Sequence, residues 1–211
     1  MDLDFPLECF DYDLSATALA HFLNADQLAV DTETMGLNIP RDRLCLVQVC
    51  DPEGQVAVIK IARGQKEAPH LQQLLEHPRI TKIFHYARFD LATLRYHLGI
   101  RVHPVFCTKI ASKIARTYSP RHGLKDLVLD LLGIEIDKSA QSSDWGNAMA
   151  LREDQIRYAA NDVRYLIPLR QQLTAMLKRE ERFELFQTAL SCLPAIVDLD
   201  LAGYTQVFEH G

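Results

Sequence analysis

Leu14, Ala18, Leu19, Phe22 and Leu23 recur at the spacing of one helix face, and Asp13 or Ser15 stands where an N-cap is needed. The period then changes. Three short apolar stretches follow: L-A-V-D-T-E-T from Leu28, L-C-L-V-Q-V-C from Leu44 and Q-V-A-V-I-K-I from Gln55, the last two separated by the turn-forming D-P-E-G. Strands joined so closely are predicted to pair as an antiparallel meander. From Pro69 the pattern alternates. A helix opens near that proline, then come the strand K-I-F-H-Y from Lys82, a helix through L-A-T-L-R-Y-H-L closed by Gly99, and the strand V-H-P-V-F-C ending at Cys107. This alternation predicts parallel additions to the same sheet. The rest reads as helices over 108–116, 123–132, 152–178 and 182–193, with a polar loop over 138–149. A closing stretch, 199–211, carries Leu201, Tyr204, Val207 and Phe208 without a clear period and is expected to dock in cis or against another subunit.

With 211 residues, 48% of them hydrophobic, the chain can bury one sizeable core, and a single domain spanning 1–211 is expected. Neither a membrane-length apolar run nor the basic and apolar regions of a secretory signal is found, which predicts a cytoplasmic protein with no membrane attachment. The cysteines, with no C-x-x-C pair and no close histidine partner, read as reduced and mostly buried thiols. A formal charge of -5 argues against a protein that coats long nucleic acid by phosphate neutralisation alone. It leaves room for a nuclease, because cations bound in an acidic pocket reverse the local charge.

Candidate chemistry lies in three segments. Asp31 and Glu33, in V-D-T-E-T-M-G-L, are two apart on a predicted strand and share one face, with Val30 and Thr32 on the other. Two carboxylates aimed into one space repel unless protons or metals intervene. Tyr158 and Asp162, in R-Y-A-A-N-D-V, are four apart on a predicted helix and stack on one face, from which they can cover the strand pair. Asp90, in H-Y-A-R-F-D, opens the helix after K-I-F-H-Y, where it serves either this site or the helix N-terminus. Convergence of the five would make a pocket for two hard divalent cations, and all-oxygen ligands favour Mg2+ or Mn2+ over zinc. Lys109, Lys113 and Arg116 add a basic stripe on one helix face, the usual mark of a solvated surface.

In this order and on these elements, the motifs resemble the DEDD family of 3'-to-5' exonucleases, in the subclass with tyrosine in its third motif. The histidine subclass would carry His where this chain has Arg157. I-D-K-S-A-Q-S-S-D-W-G and L-R-E-D-Q-I-R-Y-A-A-N-D-V are similar to the exonuclease domain of ribonuclease D. R-T-Y-S-P-R-H-G-L-K-D-L and L-D-L-A-G-Y-T-Q-V-F-E-H resemble its short, stand-alone relatives, the nanoRNase C group. The resemblance implies an α/β, ribonuclease H-like fold, a mixed five-stranded sheet flanked by helices. It also implies hydrolysis of short oligoribonucleotides to 5'-mononucleotides, dinucleotides such as linearised cyclic di-GMP among them, and assembly as an octameric ring. Longer RNA or DNA ends are the alternative substrates, and an inactive nucleic-acid-binding module is the alternative class.

The same resemblance distributes roles. Asp31 would bridge both ions, Glu33 and Asp162 would complete one site, Asp90 would hold the second ion through water, and Tyr158 would orient the attacking water. Thr34, Met35, Gly36 and Leu37 would hold the terminal nucleotide, with Thr34 near the 3'-hydroxyl and Leu37 either wedged between bases or an ordinary core leucine. His85 and Phe89 either contact sugar and base or pack internally. Lys138, Ser139, Gln141, Ser142 and Ser143 concentrate donors beside Trp145, itself read as a packing anchor; they either cradle a 5'-phosphate or cap their own loop.

Overall fold

The computed structural model describes residues 5–136 and 145–208. The meander is present: β2 (Gln27–Thr34), β3 (Leu44–Cys50) and β4 (Val56–Lys60) pair antiparallel, with Val30 opposite Val49 and Val47 opposite Ile59. β5 (Thr81–Phe84) and β6 (Val105–Cys107) extend the sheet in parallel beyond β2, as the alternating pattern implied. The α/β class holds, but the sheet has six strands rather than five, in the order β1-β4-β3-β2-β5-β6. The extra strand, β1 (Leu7–Asp11), lies parallel to β4 at the edge. Its sequence L-E-C-F-D gave no warning because none of its side chains is buried, so no alternation of burial was written into it.

β3 and β4 are covered on both faces, which explains their unbroken apolar runs. On one face α1 (Ala16–Phe22), α2 (Pro69–Leu75), α3 (Ala87–Leu98) and α9 (Leu193–Leu201) pack against Leu28, Val30, Val47 and Ile59. On the other, α4 (Thr108–Ala115), α5 (Leu124–Leu132), α6 (Glu153–Arg164), α7 (Leu166–Arg179) and α8 (Phe183–Ser191) pack against Ala29, Leu46, Val58 and Ile83. Alternation along each strand divides the residues between the two cores.

Local contacts fix the helices on the face of the sheet that carries α3. Ser15 caps α1 by accepting the Ala18 amide, while Asp13 caps α2 instead, accepting the amides of His70 and Leu71 at 2.8 and 2.9 Å. Helix α9 was not expected, since Pro194 reads as a breaker; it sits in the first turn, where no amide is needed. Arg88 of α3 grips Asp200 of α9 with two contacts of 2.5 and 2.6 Å, and Arg95 pairs with Asp198. Because α3 carries Asp90, these pairs brace one side of the site. Beyond α9, Tyr204, Val207 and Phe208 are exposed rather than folded back onto the chain.

Lys82 is fully buried on β5, and its ammonium donates to the carbonyls of His77 at 2.8 Å, Ile80 at 2.6 Å, and His103. Three protons meet three acceptors and tie the turn before β5 to the approach of β6, while burial lowers the Lys82 pKa to about 7. No helix among the described residues is long and apolar enough to cross a membrane.

Candidate active site

Strand β2 is the axis of the site. Asp31 and Glu33 face α6, whose Ala159, Ala160 and Val163 are buried in the core on that side and let the helix lie close to the sheet. That approach carries Tyr158 and Asp162 over the strand: one carboxylate oxygen from each of Asp31, Glu33 and Asp162 lies within 4.8 Å of the others. Asp90 comes from the opposite face. After β5 the chain turns sharply through Tyr86, at φ 71°, into α3, which places Asp90 in the first helical turn, buried. There it accepts a 2.7 Å hydrogen bond from the Thr32 hydroxyl. Thr32 does point away from Asp31 and Glu33, and for that reason it reaches Asp90. Its role was not anticipated; a hydroxyl between two acids on a buried strand was the available signal.

Burial raises Asp31 well above the ordinary carboxylate range, and the charges of Asp90, Asp162 and Glu33 add to the effect. Asp90 is pushed up to about 7 by burial, against the lowering influence of the Thr32 hydrogen bond. Burial and the neighbouring Asp162 also raise Tyr158, which stays a neutral hydroxyl at physiological pH. Four carboxyl groups thus crowd together, and among the described residues no lysine or arginine lines the cavity to neutralise them. An all-oxygen, anion-rich and partly desolvated set fits hard divalent cations of the Mg2+ and Mn2+ type.

The cavity has a volume of about 430 Å³, and Thr34, Met35, Gly36, Leu37, His85 and Phe89 all line it. Leu37 is 84% exposed, which removes the core-leucine alternative. The Thr34 hydroxyl closes the turn onto the Gly36 carbonyl at 2.6 Å, and the Met35 amide donates to the Arg43 carbonyl at 3.1 Å. Gly36 is pressed against Asp42: a Cβ there would fall 2.4 Å from Oδ2, so the position admits only glycine without a shift. His85 Nδ1 lies 2.9 Å from the Thr108 hydroxyl, which donates its proton to the Phe84 carbonyl at 3.1 Å. With that proton committed, Nδ1 of His85 is the donor.

Leu124, also in this wall, and Thr108, buried behind His85, were not singled out from sequence. Trp145 is buried, with its ring 6.1 Å from that of Tyr158, in keeping with a packing anchor. The proposed phosphate loop, Lys138, Ser139, Gln141, Ser142 and Ser143, lies outside the described residues. The basic stripe is corrected: Arg116 is only 2% exposed and is bonded to the Arg121 carbonyl and the Asp130 carboxylate, while Lys109 sits 4.4 Å over the Tyr86 ring. The period that suggested a solvated face could not reveal these partners.

The profile of the 3'-5' exonuclease family matches residues 8–178. Among solved structures, Brucella melitensis NrnC bound to pGG is 44% identical with a TM-score of 0.92, covering 99% of this chain and 100% of that one. The same nuclease with bound Mg2+ is 42% identical with a TM-score of 0.89, covering 98% and 100%. Ribonuclease D of Gluconacetobacter diazotrophicus is 37% identical over 166 residues, 79% of this chain and 42% of that protein. The chain spans about two fifths of the length of the curated ribonuclease D proteins it matches. Family profile, fold and carboxylate cluster coincide on the same segments: this chain belongs to the ribonuclease D-like 3'-5' exonucleases, with their ribonuclease H-like fold.

Proposed function

We propose that this protein is a metal-dependent 3'-5' exoribonuclease that hydrolyses short oligoribonucleotides, dinucleotides foremost, to 5'-mononucleotides. The observation that carries the reading is the convergence of Asp31, Glu33 and Asp162 within 4.8 Å in a cavity roofed by Tyr158. Asp31, Glu33 and Asp162 would hold one divalent ion, and Asp31 with Asp90 the second. Bound ions there supply an acidified water and charge stabilisation at the phosphorus. Tyr158, kept protonated by its surroundings, donates a hydrogen bond that orients the attacking water. Thr32 keeps Asp90 in place and favours its ionised form. Leu37, exposed at the rim, is positioned to part the two bases, and His85 presents the sugar with an imidazole whose Nδ1 is already engaged.

Preference for the shortest substrates is supported by the likeness to a nuclease solved with pGG over the whole of both chains. The loop Lys138, Ser139, Gln141, Ser142 and Ser143 supplies the donors suited to the 5'-phosphate. Exposed Leu185, Tyr204, Val207 and Phe208 support a homo-oligomer, an octameric ring by family resemblance, and we assign the protein to the cytoplasm on the same resemblance. Product analysis on 5'-phosphorylated RNAs of graded length, with Mg2+ or Mn2+, tests the assignment. A sharp maximum at two residues is expected. Uniform trimming of longer RNA or of DNA ends removes the length preference, and binding without turnover removes the enzyme.

A further inference from the structure

The loop that carries Leu37 has a second wall. Behind it lies another cavity, about 300 Å³, lined by Arg41, Arg43, Arg63 and Lys66 and by no aspartate or glutamate. Four cations around one cavity run against the formal charge of the whole chain, -5. Of these four, Arg41 alone has a carboxylate partner among the described residues, Asp42. Arg43 is held by the carbonyls of Ile61 and Gly146 at 2.9 and 2.6 Å, which fix the guanidinium without cancelling its charge. Arg63 and Lys66 are exposed, and among the described residues no carboxylate stands within ion-pair distance of either. His97 lines the same space, its buried Nε2 without a hydrogen-bond partner. Burial, aided by Lys66, outweighs the opposing influence of the Asp42 and Ile39 backbone and holds that imidazole toward its neutral form. Tyr96, 43% exposed at the edge, offers a ring face.

We propose that this cavity is a second phosphate site, separate from the catalytic pocket, taking a phosphate monoester dianion either as inorganic phosphate or as the 5'-phosphate of a nucleotide. A pre-fixed guanidinium with two exposed cations suits a compact dianion rich in acceptor oxygens. The site also touches the catalytic loop. Asp42 accepts the Asn38 amide at 2.9 Å, pairs with Arg41 and packs against Gly36, so one carboxylate joins the two walls. Occupation therefore stiffens the segment bearing Leu37 and changes turnover of short RNA. This coupling rests on the nuclease reading; the binding does not.

Calorimetric titration of the full chain in EDTA at constant ionic strength, with inorganic phosphate, AMP and adenosine, tests the site apart from any catalysis. Saturable phosphate binding at one equivalent is expected, weakened about tenfold or more in the R63A/K66A double variant, whose changes lie at exposed positions. Tighter binding of AMP than of phosphate identifies nucleotides as the source, and equal binding identifies free phosphate. Adenosine binding as well as AMP, no saturation, or equal affinity in the double variant overturns the proposal. Initial rates of hydrolysis on an RNA without a 5'-phosphate, with no phosphate or AMP added, should be unchanged in that variant. If the parent binds phosphate yet shows no metal-dependent hydrolysis, the nuclease reading fails and the phosphate site stands.

Discussion

Replacing Thr32 with valine deletes one hydroxyl while keeping a β-branched side chain in a buried strand. That hydroxyl donates to Asp90 Oδ1 at 2.7 Å. A hydrogen bond to a charged group contributes about 1.5–3 kcal/mol, or about one to two pK units. Burial already holds Asp90 up to about 7, and Thr32 works against it. Without the hydroxyl, the proton is held more tightly, so at neutral pH most molecules carry a neutral Asp90 that serves a cation poorly. The acid limb of kcat/KM on a 5'-phosphorylated dinucleotide should move upward by about one to two pH units. Because Asp90 starts at about 7, that is a loss of roughly 5–50-fold at neutral pH, recovered in alkali, with a parallel rise in the Mg2+ needed for half-maximal rate. Rate profiles at several Mg2+ concentrations, with circular dichroism to confirm the fold, make the comparison. An unmoved acid limb together with an unmoved Mg2+ requirement would refute the positioning role.

Further outcomes follow from the same geometry. Asp90 has a folded-state pKa of about 7, above the ordinary carboxylate value, so the folded chain holds the proton more tightly than the unfolded one. In chelator, stability should therefore be full below the carboxylate range and fall as pH rises through 7, Mg2+ should reverse the loss, and Asp90→Asn should flatten the curve; a melting temperature independent of pH in chelator contradicts this. Leu37→Ala, at an 84% exposed position, should change stability by no more than about 0.5 kcal/mol while raising KM for a dinucleotide; a large loss in urea denaturation would mean Leu37 is structural after all. Lys82→Met leaves the carbonyls of His77, Ile80 and His103 without their donor and should cost about 3 kcal/mol in the same assay, with kcat little changed in the folded fraction; a neutral result would mean water replaces the ammonium.

Where a physical rule maps a residue onto one position, the chain was legible. The meander could be read from three apolar runs and a turn, and the face shared by Asp31 and Glu33 from strand alternation. The stacking of Tyr158 over Asp162 needed only the helical repeat. What stayed hidden depends on partners distant in sequence. Thr32 reaches Asp90 across 58 residues, and Asp13 caps a helix that begins more than fifty residues later. Arg116 looked like a solvated cation until Asp130 and the Arg121 carbonyl closed around it. Edge strand β1 escaped because an edge need not bury either face, and Pro194 concealed α9 because a breaker and an N-terminal proline are the same residue in different turns.

The central claim is that side chains from β2, α3 and α6 form one two-ion site. Anomalous diffraction from crystals grown with Mn2+ and a non-hydrolysable dinucleotide measures this directly. The account predicts two Mn2+ peaks flanking Asp31, one shared with Glu33 and Asp162 and the other on the Asp90 side. Mn2+ bound away from these carboxylates, or no ion among them with the dinucleotide in place, would contradict it.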